Sequence, residues 1–162
     1  MKQVILVMGI CGSGKTTVGK ALSVELGIPF LDADDFHPRS NVMKMSRGEA
    51  LTDDDRWPWL AAIVEHMLNS HRDQFILGCS ALKGAYREYL GQRLRLHPVM
   101  LDITFDEAKR RMDQREAHFM PSSLIKSQLD TLEVPKDAIT ISATTELNEI
   151  VDLLSESFRK LL

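Results

Sequence analysis

Along the chain, short apolar blocks alternate with longer stretches of helical periodicity. Val4–Met8 is an unbroken apolar block with β-branched residues, which predicts a buried strand. Glycine-rich sequence follows at once, and then a helical pattern from Thr16 to Leu26. Pro29–Leu31, ending at Asp32, predicts a second strand; Phe75–Gly78 and Val99–Ile103 predict two more, and Ile139–Ser142 a weaker fifth. Helices are expected near residues 58–70, 84–95, 106–115, 122–131 and 145–161. Strands that alternate with helices in this way predict an α/β protein built on a parallel sheet. Two stretches fit the alternation poorly: 37–56 is polar and mixed, and 115–123 has little apolar periodicity. They are the candidates for a substrate-side insertion and a lid, since function on such folds sits on loops held by rigid elements.

Neither a repeat nor a Pro/Gly/Ser linker divides the 162 residues, so residues 1–162 are expected to form one domain around one core. A hydrophobic content of 44% is too high for a disordered chain. The formal net charge of -3 leaves no basic excess for nucleic acid or an anionic membrane. No apolar run approaches the ~20 residues that span a bilayer, and Met1–Met8 is too short for a secretion signal, so a cytoplasmic location is expected. Two cysteines, Cys11 and Cys79, are too few for a disulfide framework or a zinc site.

The candidate chemistry begins at Gly9-Ile10-Cys11-Gly12-Ser13-Gly14-Lys15-Thr16, which matches G-x-x-x-x-G-K-[ST] between a predicted strand and a predicted helix. Backbone N–H groups of such a loop surround phosphates, and glycines keep side chains out of the way. Lys15 reaches the outer phosphates, the Thr16 hydroxyl is a Mg²⁺ ligand, and the helix N-terminus adds partial positive charge. Thr17 extends the nucleotide-binding stretch.

Asp32 and Asp34 follow the second strand, at the sheet edge where open α/β folds bind ligands, and are read as facing the phosphates; Asp35 reads as a helix cap. Lys83 and Arg87, four apart after Cys79-Ser80-Ala81-Leu82, would share a helix face and serve equally as an anion clasp or a solvated basic face. Arg111 and Arg115 stand four apart where a helix runs into the suspected lid, which also carries His118 and Phe119; Arg110 should point elsewhere. Thr52-Asp53-Asp54-Asp55-Arg56 reads as a capped helix start whose acids are mainly structural, with Arg56 free to enter the cleft.

Taken together these residues resemble the bacterial and eukaryotic gluconokinases of the shikimate-kinase-like P-loop group, nearly end to end. The likeness runs through Met8–Thr16, Leu31–Pro38 and the H-P-x-x-N stretch His37–Asn41. It continues through Leu51–Arg56 with Pro58-Trp59-Leu60, Cys79–Lys83 with Tyr86-Arg87, and Gln128–Pro135. Ala117 stands where relatives often carry glycine, which touches only the flexibility of the lid. The resemblance implies a P-loop NTPase fold: a five-stranded parallel sheet of order 2-3-1-4-5, helices on both faces and a lid over ATP. It implies transfer of phosphate from ATP to D-gluconate, with Mg²⁺ as cofactor and a homodimer as the assembly. On that likeness Lys15, Asp34 and Arg115 are the expected catalytic residues, Asp34 accepting a hydrogen bond from the attacking hydroxyl. Asp32 holds Mg²⁺ through water beside Thr16. Arg111 packs on adenine, and Arg115 reaches the phosphates. His37, Arg56, Lys83, Arg87, His118 and Gln128 are expected on the gluconate side. Two rivals stay open: a kinase of another small acceptor (shikimate, another sugar acid or a nucleoside monophosphate), and a nucleotide-binding regulator that transfers nothing.

Overall fold

The computed structural model describes residues 1–115 and 122–161. The chain runs β1 (Lys2–Met8), α1 (Lys15–Leu26), β2 (Phe30–Asp32), a 3-10 turn (Ala33–Phe36), α2 (Arg39–Ser46), α3 (Asp53–Asn69) and β3 (Gln74–Gly78). It continues through α4 (Gly84–Gly91), β4 (Leu94–Asp102), α5 (Phe105–Asp113), α6 (Ser122–Thr131), β5 (Ile139–Ser142) and α7 (Leu147–Arg159). All pairings are parallel, and the strand order is β2-β3-β1-β4-β5.

β1 lies in the middle of this sheet, and Val4 through Met8 are each 0% exposed. Its alternate residues serve two cores. Ile5 and Val7 join Val18 and Leu22 of α1 with Leu154 and Phe158 of α7. Val4, Leu6 and Met8 join Leu60 and Ile63 of α3 with Tyr86 and Leu90 of α4. A strand covered on both faces reads as a continuous apolar block, which is how β1 looks in the sequence.

The register brings the functional segments to one edge. Val7 pairs with Gly78 and with Val99, and Asp32 pairs with Gly78, so β1, β2 and β3 end side by side. Gly19 lets α1 settle on β2: a Cβ there would lie 2.2 Å from the Phe30 ring. That close approach sets the N-terminus of α1 beside the end of β2.

The structure departs from the sequence reading at several elements. Residues 39–46 form α2, inside the stretch expected to be irregular. α4 ends at Gly91 rather than near 95, and β4 starts at Leu94 rather than Val99, pairing with β1 along its length. Arg95, His97 and Pro98 interrupt the apolar run and hide the first half of that strand. Helix α3 starts at Asp53, directly behind the Thr52 cap read from the sequence, and runs unbroken into the helical periodicity expected from 58. Among the described residues no helix is long and apolar enough to cross a membrane. Ala117, His118 and Phe119 of the expected lid lie outside the described residues.

Candidate active site

The phosphate loop leaves β1 at Gly9, whose φ of 150° and whose crowding admit only glycine: a Cβ would lie 2.9 Å from the Leu101 carbonyl oxygen. The loop closes at Gly14, the cap residue of α1, in the left-handed region at φ 93°. No side chain caps that helix, so its first N–H groups face the cleft. Lys15 is the first helical residue, and its Nζ donates to the carbonyls of Gly9 (3.0 Å) and Ile10 (2.9 Å). An ammonium has three donors, so one remains for the cleft. Burial lowers the Lys15 pKa, while neighbouring Asp34 works against that fall.

Thr16 Oγ1 donates to Asp32 Oδ2 at 2.9 Å, and Asp32 Oδ1 accepts from the Asp34 N–H at 3.0 Å. Asp32 therefore caps the 3-10 turn, a role expected of Asp35, which lies inside the turn. The reason is geometric: the cap must be the last residue with extended backbone, and that is Asp32. Thr16 and Asp32 place two oxygen donors together, the hard-ligand chemistry that suits Mg²⁺. Among the described residues no cluster of three or more His, Cys, Asp or Glu forms a metal cage. A phosphate-bound Mg²⁺ needs none, because phosphate and water supply the remaining oxygens.

Asp34 extends from the turn into the cleft with its side chain 83% exposed. Its pKa is raised by the protein walls around it and then by Asp32, against the pull of Lys15. His37 lies behind it, with Nε2 3.8 Å from Asp34 Oδ1 and the ring stacked on Trp59 at 4.2 Å between centroids. Trp59 is held in turn by an Nε1–H bond of 2.6 Å to the Ala33 carbonyl.

These groups line a cleft of about 450 Å³, together with Arg56, Ser80, Arg115 and Gln128. Arg56 Nη1 donates to the Leu51 carbonyl (2.6 Å) and to the Tyr86 hydroxyl (3.2 Å). The Tyr86 hydroxyl donates to Asp53, which also accepts from Lys83 at 2.9 and 3.1 Å. A second recess of about 420 Å³ lies across the phosphate loop, lined by Ser13, Thr17, Arg111, Arg115 and Thr145. Arg111 joins its walls, donating to the carbonyls of Gly12 (3.2 Å) and Ala143 (2.7 Å) and to Glu107 (3.0 Å). Arg115 lines both recesses from just beyond the end of α5. Gln128 of α6 accepts from the Cys11 N–H at 2.7 Å, tying that helix to the loop.

The shared face expected for Lys83 and Arg87 is not formed. Lys83 precedes α4 with extended backbone, so helical spacing does not relate the two. Lys83 pairs with Asp53 over a separate shallow depression. Arg87 Nη1 folds back onto the carbonyls of Ala81 (2.7 Å) and Leu82 (3.2 Å). Ala81 has φ 41°, an uncommon conformation for a residue with a Cβ that costs about 1 kcal/mol or more. Arg87 thus braces a strained turn that presents Ser80 to the cleft. Glu133 braces it from the other side: its carboxylate accepts from the Gly84 N–H at 2.7 Å, and its own N–H donates to Leu82 O at 2.7 Å. Burial raises the Cys11 pKa and pushes Cys79 up to about 12, which disfavours the reactive thiolate at both.

A phosphate loop between two recesses, with an acidic turn on one side, is the outline of a small-molecule kinase. The family described as AAA domain matches residues 4–135. A gluconokinase of Gluconobacter oxydans is 43% identical, over 96% of this chain and 90% of that one. The thermosensitive gluconokinase of Escherichia coli is 35% identical, over 96% of this chain and 84% of its own. The chain belongs to the gluconokinase family. Its fold agrees: a crystal structure of a gluconokinase from Sinorhizobium meliloti superposes with a TM-score of 0.87 at 42% identity, covering 99% of this chain and 93% of the other.

Within this family member, the sequence reading passed over three side chains that shape the site. Asn41 is 2% exposed and fastens His37; Tyr86 and Asp53 hold Arg56. The signal for Asn41 was its place in H-P-x-x-N, although helical spacing does not relate it to His37, which precedes α2 with extended backbone. Glu133 left no such signal, because its contact spans 49 residues of sequence.

Proposed function

We propose that the chain transfers the terminal phosphoryl group of ATP to the 6-hydroxyl of D-gluconate, giving ADP and 6-phosphogluconate. The observation that carries this reading is the meeting of the two recesses at the phosphate loop, with Gly12, Gly14 and Arg115 at the boundary and Lys15 and Asp34 on the acceptor side. The loop N–H groups and the α1 terminus bind phosphate oxygens, and Arg111 and Thr17 flank the nucleotide's recess. Thr16, with Asp32 acting through water, would hold Mg²⁺. When bound, that ion neutralises phosphate charge and orients the terminal group.

The protein's remaining work is to position the partners and to stabilise charge. Lys15 follows the charge that develops on the transferred group, and Arg115 reaches it from the end of α5. Asp34 orients the acceptor hydroxyl and takes its proton. Arg56 supplies a fixed cation for the gluconate carboxylate. His37 and Gln128 line the same cleft, while Lys83 and Arg87 act on the acceptor through the segments that they hold.

A coupled ADP-release assay over a panel of acceptors tests this. Gluconate should give ATP- and Mg²⁺-dependent turnover, and each rival acceptor far less. Strong turnover of shikimate or a nucleoside monophosphate, with none of gluconate, would overturn the assignment.

A further inference from the structure

Asn41 is almost wholly buried, and one nitrogen serves two partners: Nδ2 lies 2.9 Å from the Asp55 carbonyl and 3.2 Å from His37 Nδ1. A backbone carbonyl can only accept, which fixes the orientation of the amide with its NH₂ inward. One N–H goes to Asp55, and the other meets the imidazole. His37 Nδ1 must then be the bare acceptor, and the ring proton resides on Nε2.

The opposite edge of the ring is compatible with the same tautomer and favours it weakly. Nε2 stands 3.8 Å from Asp34 Oδ1, where an N–H is attracted to the carboxylate and a lone pair would be repelled. Trp59 holds the plane of the ring by stacking, so the imidazole can neither tilt nor turn without losing both contacts. Burial and the nearby Arg56 cation keep it neutral.

We propose that Asn41 is a positioning residue that locks His37 as its neutral Nε2–H tautomer, and that the resulting Nε2–H and the Asp34 carboxylate together read one hydroxyl of the acceptor. This rests on the kinase reading above and deepens it. A hydroxyl oxygen about 2.8 Å from each group fits across the gap, donating to Asp34 while accepting from His37. Only a group that is donor and acceptor at once satisfies both, which describes the hydroxyls of a polyol chain. A carboxylate at this point would meet Asp34 with like charge.

Long-range proton–nitrogen NMR of the ¹⁵N-histidine-labelled protein reads the tautomer without catalysis. An unprotonated Nδ1 and a protonated Nε2 at His37 are expected; the reverse assignment, or a charged ring at neutral pH, overturns the proposal. Kinetics test the consequence. Asn41→Leu should release the lock, mixing the tautomers and raising the KM for gluconate roughly tenfold, the worth of one hydrogen bond, with the KM for ATP unchanged. His37→Leu should do the same, and the double variant should be no worse than either single one, since Asn41 acts through His37. Additive losses would show that Asn41 acts elsewhere, and a wild-type tautomer and KM in Asn41→Leu would remove its role altogether. Should Asn41→Leu fail to fold, His37→Gln and His37→Leu decide. The first offers an N–H donor and should keep a lower KM than the second; equal values overturn the donor role. Absence of gluconate turnover in the wild type would sink the proposed reaction and leave the NMR result to judge the tautomer by itself.

Discussion

Lys15 and Asp34 occupy opposite sides of the transfer, and replacing each should leave a different kinetic trace. Lys15→Ala removes the charge that accompanies the phosphoryl group, so kcat should fall about 10³-fold or more in a protein with an unchanged circular dichroism spectrum. Near wild-type kcat would mean that this loop is not the catalytic phosphate site. Asp34→Asn keeps size and loses the proton acceptor; kcat should fall roughly 10²–10⁴-fold with little change in ATP affinity by calorimetry. A collapse of ATP binding would move Asp34 to the metal side. His37 carries a pH signature as well. Burial, reinforced by Arg56 and opposed by Asp32, lowers its pKa from 6.5 to about 4 in the folded protein, so the unfolded chain binds the extra proton more readily. Its contribution is complete above about pH 6.5 and is lost as pH falls toward 4, amounting to no more than about 3 kcal/mol. Denaturant unfolding of His37→Leu should show a flatter slope over that window than the wild type. Parallel slopes would show that the ring titrates normally.

At the scale of elements, the sequence exposed what local chemistry determines and hid what distant partners determine. β1, the phosphate loop and α1 were legible because a doubly buried strand, a glycine-rich turn and a helix start each leave a contiguous pattern. The Thr52 cap of α3 was legible too, and it forms a reciprocal capping box with Asp55. α2 was not: Pro38 gives it no side-chain cap, and it is pinned by Asn41 and by Lys44, whose Nζ lies 2.7 Å from Asp55 Oδ2. In the site, the loop residues and the acidic turn could be read from spacing. The arrangement of Lys83 and Arg87 could not, since it depends on where α4 begins. Arg87→Ala tests the brace that this arrangement implies. Losing its bonds to Ala81 and Leu82 should cost roughly 1–3 kcal/mol, or about 2–10 °C of melting temperature. The KM for gluconate should rise as well, because the same turn carries Ser80. An unchanged melting temperature would refute the brace.

The whole molecule separates stability from chemistry by distance along the strands. Both cores contribute to holding the sheet, yet every group proposed to act lies at the edge where β1, β2 and β3 end. Phe158, 2% exposed, packs into the core between the sheet and α7, while Trp59, also 2% exposed, belongs to the opposite core and also carries His37 on its ring. Phe158→Ala should therefore cost about 3–5 kcal/mol through the cavity it leaves, lowering the melting temperature by roughly 6–20 °C. Assayed well below melting, its KM and kcat should match the wild type, because the sheet edge keeps its register. Trp59→Phe is a gentler change in volume. It removes the 2.6 Å bond to Ala33 that ties α3 to the turn bearing Asp34, so it should cost less stability and more activity. Melting curves and steady-state kinetics on the two variants measure both halves. If Phe158→Ala were the variant that lost activity while Trp59→Phe kept it, the site would be coupled through the α7 core, and the separation drawn from the two packed faces would not hold.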